Sequence, residues 1–191
     1  MQYEYPEYAT IDGVDYKIDT DFRTALKCFE IIEDDEIDDY ERAVAIIYLL
    51  FDFIPEEQEI EKFLEKAKIY LQCGKTDEEE QQTKKDMDFK QDYGLITSSF
   101  MSDYKMDITK ENLHFWHFLT LLEGLTENCS LNRVRELRTY DLSEEKDEKR
   151  KRKIQEMQKK VALKDNQIKH KKQYSKEEIN SMEEFYKSIG E

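Results

Sequence analysis

The chain has 191 residues, the length of one ordinary domain, with 45 acidic and 30 basic side chains and a formal net charge of −15. Charged residues make up 39% of the chain, but the 12% aromatic content argues against global disorder. Five Gly and two Pro disfavour many-stranded barrels and favour long helices. No apolar run is long enough to span a membrane and no signal-peptide pattern is present, so a cytosolic protein is expected.

The acidity is unevenly distributed along the chain. Residues 1–143 hold 34 acidic and 16 basic residues, a net charge of −18, whereas residues 144–191 hold 11 and 14, a net charge of +3. We therefore predict two domains: an acidic hairpin-plus-helical-bundle over 1–143, and a basic charged helix followed by a terminal amphipathic helix over 144–191. The densest basic run is Lys149, Arg150, Lys151, Arg152 and Lys153. This run is interpreted as a solvated face, or as a patch that pairs with the acidic body or with an acidic partner, because a pI near 4.8 disfavours nucleic-acid binding.

The first predicted element is a β-hairpin. Tyr8–Ile11 and Val14–Ile18 are short strand-like runs, and Asp12-Gly13 between them supplies the positive φ angles of a two-residue turn. A lone hairpin is marginally stable in water, so we expect it to pack on a helix.

Three helices are predicted to follow the hairpin. Asp19, Thr20 and Asp21 offer N-caps for the first, whose apolar residues run from Phe22 to Ile32 with a 3.6-residue period. The second covers Asp38–Phe53 and is the best candidate for the central buried helix. Its wide apolar face comprises Tyr40, Ala43, Val44, Ile47, Leu50 and Phe51. The third begins after Pro55 and ends near Gly74.

The residues from Gly74 to Asp86 contain no apolar residue and predict a loop. A fourth helix is predicted over Asp88–Tyr104, and a fifth, aromatic-rich helix is predicted to start at an N-cap on Thr109 and to end at Gly124. A sixth is predicted over Leu131–Arg138, with Val134 and Leu137 facing inward and Arg133, Arg135 and Arg138 largely outward.

The last 48 residues predict a helical arm. A long charged helix follows the cap at residues 141–143, and Ser175-Lys176-Glu177-Glu178 forms a capping box before a terminal amphipathic helix. The apolar stripe of that last helix must be buried against the body, a second copy or a partner. Its members are Ile179, Met182, Phe185, Tyr186 and Ile189.

Catalytic and metal-binding patterns are weak in this sequence. His114 and His117, spaced i, i+3, are the best metal-ligand pair, but no third ligand pattern accompanies them and the aromatic neighbours indicate a core helix. Cys28, Cys73 and Cys129 are odd in number and far apart. We therefore expect no enzyme activity, no cofactor and no metal site.

Two stretches carry a family resemblance, IDGVDYKIDTDFRTALK at residues 11–27 and FWHFLTLLEGLTENCSLNRVRELRTYDLS at residues 115–143. A hairpin that leads into a TDFR helix, followed by an aromatic helix ending in EGL and a later RxxDL, resembles the bacteriophage gp-fifteen-type family of siphophages and prophages of Gram-positive bacteria. The resemblance covers Tyr8 to Ser143, and residues 144–191 align with none of its motifs. The matching positions are Thr20, Asp21, Phe22, Arg23, Trp116, Phe118, Leu121, Leu122, Glu123, Gly124, Leu125, Arg138, Asp141 and Leu142.

This resemblance implies a role in phage tail morphogenesis, with no catalytic residues to transfer. Genes of this family resemble those that lie between the major tail protein and the tape-measure protein, the usual position of tail assembly chaperones. Such a chaperone would bind both proteins in the bacterial host cytoplasm and be absent from the finished virion. Self-association into a homo-oligomer is compatible with this role. The alternatives are a structural component of the tail or head-to-tail junction, and a nucleic-acid-binding accessory protein. The terminal stripe from Ile179 to Ile189, the three arginines Arg133, Arg135 and Arg138, and the run from Lys149 to Lys153 are the predicted contact residues.

Overall fold

The fold was obtained as a computed structural model that describes residues 5–74, 85–143 and 145–164. Within these ranges the mainly α architecture with an N-terminal hairpin is confirmed. The predicted terminal helix and most of the predicted loop between Gly74 and Asp86 lie outside the described residues. The elements are β1 Tyr8–Ile11, β2 Val14–Lys17, α1 Phe22–Ile32, α2 Asp39–Phe51, a 3₁₀ turn Glu57–Glu59, α3 Ile60–Leu71, α4 Tyr93–Tyr104, α5 Phe115–Glu123, α6 Ser130–Thr139 and α7 Glu148–Val161.

The hairpin forms in the predicted register. Asp12 and Gly13 adopt φ angles of 51° and 81°, and Ile11 pairs with Val14 across the turn. Ala9 and Ile11 are buried, and β1 lies against α3, where Lys62 forms an ion pair with Asp12 at the hairpin tip. The expected packing of the hairpin on a helix is therefore confirmed.

The first helix begins at a predicted cap, and the second begins at its predicted start. Asp21 Oδ1 accepts a hydrogen bond from the Arg23 amide at 2.8 Å, and Asp38 Oδ1 accepts one from the Glu41 amide at 2.8 Å. The second helix ends two residues earlier than predicted, because Asp52 adopts the left-handed conformation with a φ of 59°.

The predicted start of the fourth helix at Asp88 is wrong. Asp88 Oδ1 accepts hydrogen bonds from the backbone amides of Lys90 and Gln91, at 3.0 and 2.8 Å. These bonds have the geometry of an N-cap, but they cap only a turn over residues 89–92. The continuous helix α4 begins at Tyr93.

The predicted N-cap of the fifth helix is also wrong. The Thr109 hydroxyl donates to Asp107 Oδ1 at 2.6 Å within a turn, and α5 begins at Phe115. Its cap is His114, whose Nδ1 accepts a hydrogen bond from the Trp116 amide at 3.0 Å. The sequence did not indicate this cap, because histidine is not among the residues preferred at N-caps.

The core is organised around a stack of three phenylalanine rings. Phe118 of α5 stacks on Phe22 of α1 at 4.5 Å and on Phe100 of α4 at 5.4 Å, and all three side chains are fully buried. α2 lies against α1 and α3, and Ala43, Ile47, Leu50 and Phe51 of its predicted face are buried, whereas Val44 is only half-buried and Tyr40 is exposed. The Tyr40 side chain was expected on that face and is instead 57% exposed, because it lies on the first turn at the edge of the buried stripe.

The basic helix α7 lies against α6. Its more buried positions are one stripe, comprising Lys151, Ile154, Gln158 and Val161. Gln158 Nε2 donates to the carbonyls of Leu137 and Tyr140 at 3.0 and 2.9 Å, and the Lys164 amide donates to Gln91 Oε1 at 2.8 Å. Among the described residues, no helix is both long and apolar enough to cross a membrane.

Candidate partner-binding surface

The residues of the TDFR motif tie α1 to the segment that precedes α5. The Arg23 guanidinium pairs with Asp21 at 2.8 Å and donates to the carbonyls of Glu111 and Thr109, at 2.8 and 3.2 Å. Burial acts to raise the pKa of Asp21, but its hydrogen bonds with Arg23 and the charge of that arginine hold the pKa below the ordinary value. This part of the family motif therefore stabilises the fold.

The two histidines of α5 serve packing and capping. His114 Nδ1 accepts the Trp116 amide, so its Nε2 carries the proton and donates to the Pro6 carbonyl at 3.0 Å. The Tyr5 ring stacks on His114 at 5.0 Å and on His117 at 5.8 Å. Over the described ranges no three His, Cys, Asp or Glu side chains are grouped so that they could hold a metal ion.

Arg138 was expected to face outward, and this is wrong. Its side chain is 10% exposed and that of Asp92 is 2% exposed. The guanidinium forms a two-point ion pair with Asp92, with Nη1–Oδ2 at 2.6 Å and Nη2–Oδ1 at 2.8 Å. This hydrogen bonding raises the pKa of Arg138 above its ordinary value. Nη1 also donates to the Asp86 carbonyl at 2.8 Å, and Nε donates to the Val161 carbonyl at 2.6 Å. Arg138 therefore joins α4, α6 and α7.

The other two arginines of α6 differ in their surroundings. Arg135 is 36% exposed and its Nε lies 3.0 Å from Asp86 Oδ2. Arg133 is exposed, and its Nη2 lies 3.5 Å from the Asn128 side-chain oxygen. Of the three arginines predicted as contact residues, Arg133 is thus the most accessible to a partner.

The basic run of α7 presents most of its charge to solvent. Lys151 lies within the stripe that faces α6, whereas Lys149, Arg150, Arg152 and Lys153 are exposed. Arg150 pairs with Glu145 at 3.1 Å. This placement agrees with the interpretation of the run as a solvated helix face. Contacts of the run with acidic partners stay a prediction.

The structure also exposes large apolar side chains that the sequence did not single out. Tyr48 of α2 is 52% exposed, and Tyr40 lies on the same face two turns earlier. Ile54 is 59% exposed just beyond the end of α2, and Tyr8 of β1 is 56% exposed. Tyrosine supplies large contact area with a polar tip and is enriched at binding surfaces. The i, i+4, i+8 spacing of Tyr40, Val44 and Tyr48 was the available signal. The predicted terminal contact residues Ile179, Met182, Phe185, Tyr186 and Ile189 lie outside the described residues.

The model of the Bacteriophage Gp15 protein family matches residues 3–163 of the chain. The chain belongs to this family. The match extends past Ser143, where the resemblance in the sequence ended, and therefore includes α7. Searches of curated proteins and of solved structures found no match. As a member of the Gp15 family it is a phage protein, and the motif residues that were placed above stabilise its fold.

Proposed function

We propose that this phage protein is a non-catalytic tail assembly chaperone, which binds the tape-measure protein and the major tail protein in the host cytoplasm. Family membership supports a phage role. The proposal of a chaperone rests on the side chains that the protein exposes. Isolated tyrosines such as Tyr8, Tyr40 and Tyr48 are exposed on an acidic body. The motif residues Arg23 and Arg138 are meanwhile engaged in hydrogen bonds within the fold.

Such a surface suits reversible contact with a long helical partner. A tape-measure helix exposes apolar stripes until tube subunits cover it, and amphipathic partners bind stripes of this kind through a few apolar anchors. The net charge of −18 over residues 1–143 would keep the resulting complexes dispersed. Separate tyrosine anchors on a charged surface give modest affinity, so the chaperone would be released when tube subunits assemble.

The contact residues proposed for this role are revised by the structure. Arg138 is withdrawn, because all of its guanidinium nitrogens donate within the fold. Arg133 and the exposed part of the run from Lys149 to Lys153 remain as sites for acidic partners. The terminal stripe from Ile179 to Ile189 remains the proposed apolar contact.

Infection with a phage that carries a tagged copy of this gene tests the role. The tagged protein is expected to co-purify with tape-measure or tail-tube protein from infected cells and to be missing from purified particles. Stoichiometric copies in purified virions would instead support the structural component of the tail or head-to-tail junction.

Point variants test the proposed contact surface. Phe185→Asp places a charge in the predicted apolar stripe and is expected to abolish the pull-down of tape-measure protein. Lys187→Asp lies on the predicted polar face of the same helix and is the matched control, which should leave the pull-down intact. Unchanged binding by folded Phe185→Asp would contradict the contact surface but would leave the virion test of the role standing.

A further inference from the structure

The exposed side of α7 carries a basic face, in which five basic side chains surround one exposed carboxylate, Glu156. Lys149, Arg152, Lys153, Lys159 and Lys160 lie on the side of the helix opposite the stripe that packs on α6, and all five are exposed. Within the described residues, none of these five side chains takes part in an ion pair. Met157, 41% exposed, lies at the edge of this basic face. The face is therefore available for an acidic partner that also offers apolar contact.

A second surface of the same chain has the complementary composition. The turn that joins α1 to α2 has seven carboxylates between residues 33 and 41 and no basic residue, and we call it the acidic corner. Glu33 pairs with Lys85 and Asp39 with Arg42, while Asp35 and Glu36 are exposed without an ion pair among the described residues. The Ile32 side chain, 44% exposed, and Tyr40 lie beside these carboxylates.

The acidic corner is held in a fixed shape. Arg42 Nη2 donates to the carbonyls of Asp34 and Ile37, both at 2.8 Å, and its Nε donates to the Ile31 carbonyl at 3.2 Å. Because the backbone is already ordered, binding here costs little conformational entropy.

Among the described residues, no side chain of the basic face forms an ion pair with this corner within its own chain. The C-terminal end of α7 is tied down, since the Val161 carbonyl accepts from Arg138 and the Lys164 amide donates to Gln91. Lys153 precedes Val161 by eight residues, about 12 Å along the helix, so the first half of the basic face extends away from these ties.

From these two surfaces we propose that the basic face of α7 docks on the acidic corner of a second copy of this chain. The contact is heterologous, because two different surfaces meet, so it generates a ring or an open filament instead of a closed two-fold dimer. Charge complementarity selects the partner, with Met157 on one side and Ile32 and Tyr40 on the other as apolar contacts. Nucleic acid is a less favourable partner for the basic face, because residues 1–143, with a net charge of −18, repel phosphate.

The net charge of −15 opposes association at long range, which sets the conditions of the experiment. At about 0.15 M salt the screening length is roughly 8 Å, so repulsion between whole bodies is reduced more than attraction at contact. Sedimentation velocity of the full chain at this salt is expected to show a concentration-dependent rise to species larger than a dimer. At about 1 M salt the screening length falls to roughly 3 Å, and these species should dissociate.

Charge reversal at each surface tests the pairing. Arg152→Glu with Lys153→Glu, and separately Asp35→Lys with Glu36→Lys, are each expected to weaken self-association at least tenfold. The second variant lowers the net negative charge to −11, so general repulsion alone would predict stronger association. All four substitutions together restore the net charge of −15 and exchange the two signs, and are expected to restore association.

Matched controls separate local pairing from net charge. Lys17→Glu with Lys27→Glu, and Glu61→Lys with Glu65→Lys, make the same charge changes at other exposed positions and should change association less than threefold. Circular dichroism checks that every variant is folded. The proposal is overturned by a wild-type chain that stays monomeric up to about 1 mM, the weak end of measurable affinity. It is also overturned if the variant with all four substitutions stays dissociated. A DNA mobility shift at low salt by a protein that does not self-associate would overturn it as well.

Discussion

The ion pair between Arg138 and Asp92 gives the sharpest test of how the fold is held. Arg138→Met keeps the aliphatic length of the side chain and removes the guanidinium. The Asp92 carboxylate, 2% exposed, would then keep the Asp88 amide as a donor at 3.0 Å and lose its two charged hydrogen bonds. Removing one partner of a buried pair costs about 3–5 kcal/mol, because a charge is left uncompensated in the interior.

The whole domain is expected to be stable by about 5–15 kcal/mol, so this loss is a large share of the total. Urea denaturation followed by circular dichroism measures it as a fall in the midpoint at constant slope. The matched control is Arg133→Met, an exposed position on the same helix, which should change the free energy of unfolding by less than about 0.5 kcal/mol. Arg138→Lys keeps the charge and covers the case in which Arg138→Met fails to fold.

A double-mutant cycle isolates the pair. Asp92→Asn removes the charge and keeps an oxygen for the Asp88 amide, so combining it with Arg138→Met should cost about 1–3 kcal/mol less than the sum of the single variants. Hydrogen exchange in α7 should also rise in Arg138→Met, because Arg138 Nε donates to the Val161 carbonyl. Equal costs for the Arg138 and Arg133 variants would refute this account of the pair.

Three further predictions follow from single contacts. Gly124→Ala should lower the free energy of unfolding by about 1 kcal/mol, because a Cβ would lie 2.8 Å from the Tyr104 hydroxyl. Tyr104→Phe removes that hydroxyl and should reduce the cost of Gly124→Ala. An equal cost in the wild type and in Tyr104→Phe would contradict this contact. Burial raises the pKa of Cys28 to about 12, so iodoacetamide at pH 8 should label the half-buried Cys73 before Cys28. Mass spectrometry of the labelled folded protein measures the order, and labelling of Cys28 first would disprove this prediction. Burial acts to raise the pKa of Asp88, but hydrogen bonds from the Gln91 amide and from a lysine hold it below the ordinary value. Its stabilising effect is therefore present above about pH 4 and lost as pH falls through the lowered pKa, so acid unfolding of Asp88→Asn should have a shallower pH dependence than that of the wild type.

The sequence predicted elements that local chemistry determines. Asp12-Gly13 specified the hairpin turn, and Asp21 and Asp38 specified the helix starts, because each acts on amides within three residues. The missed cap at His114 and the error at Arg138 arose where residues distant in sequence determine the structure. The cap on His114 depends on the Pro6 carbonyl, more than 100 residues away, for its tautomer.

The error at Arg138 has the same origin and affects the candidate site directly. A helical wheel assigns a charged residue to the solvent side, because burial of an unpaired charge is unfavourable. The partner that makes burial favourable, Asp92, lies 46 residues away and is itself in the turn that the sequence assigned to a longer helix. The error at Arg138 therefore comes from an interaction that no pattern within a single helix could reveal, whereas the error at the start of α4 comes from the local turn at Asp88.

The placement of Arg23 and Arg138 changes how the family motifs are interpreted. In this chain both arginines join segments that are distant in sequence, so their chemistry is used inside the fold. Under the proposed chaperone role, a surface that distinguishes one tail system from another should instead vary with its partner. The exposed tyrosines of α2 and the basic face of α7 are outside the motifs and make few contacts with the body. Partner choice is therefore expected to follow substitutions at Tyr40, Tyr48 and the basic face, while substitutions at the motif arginines reduce stability first.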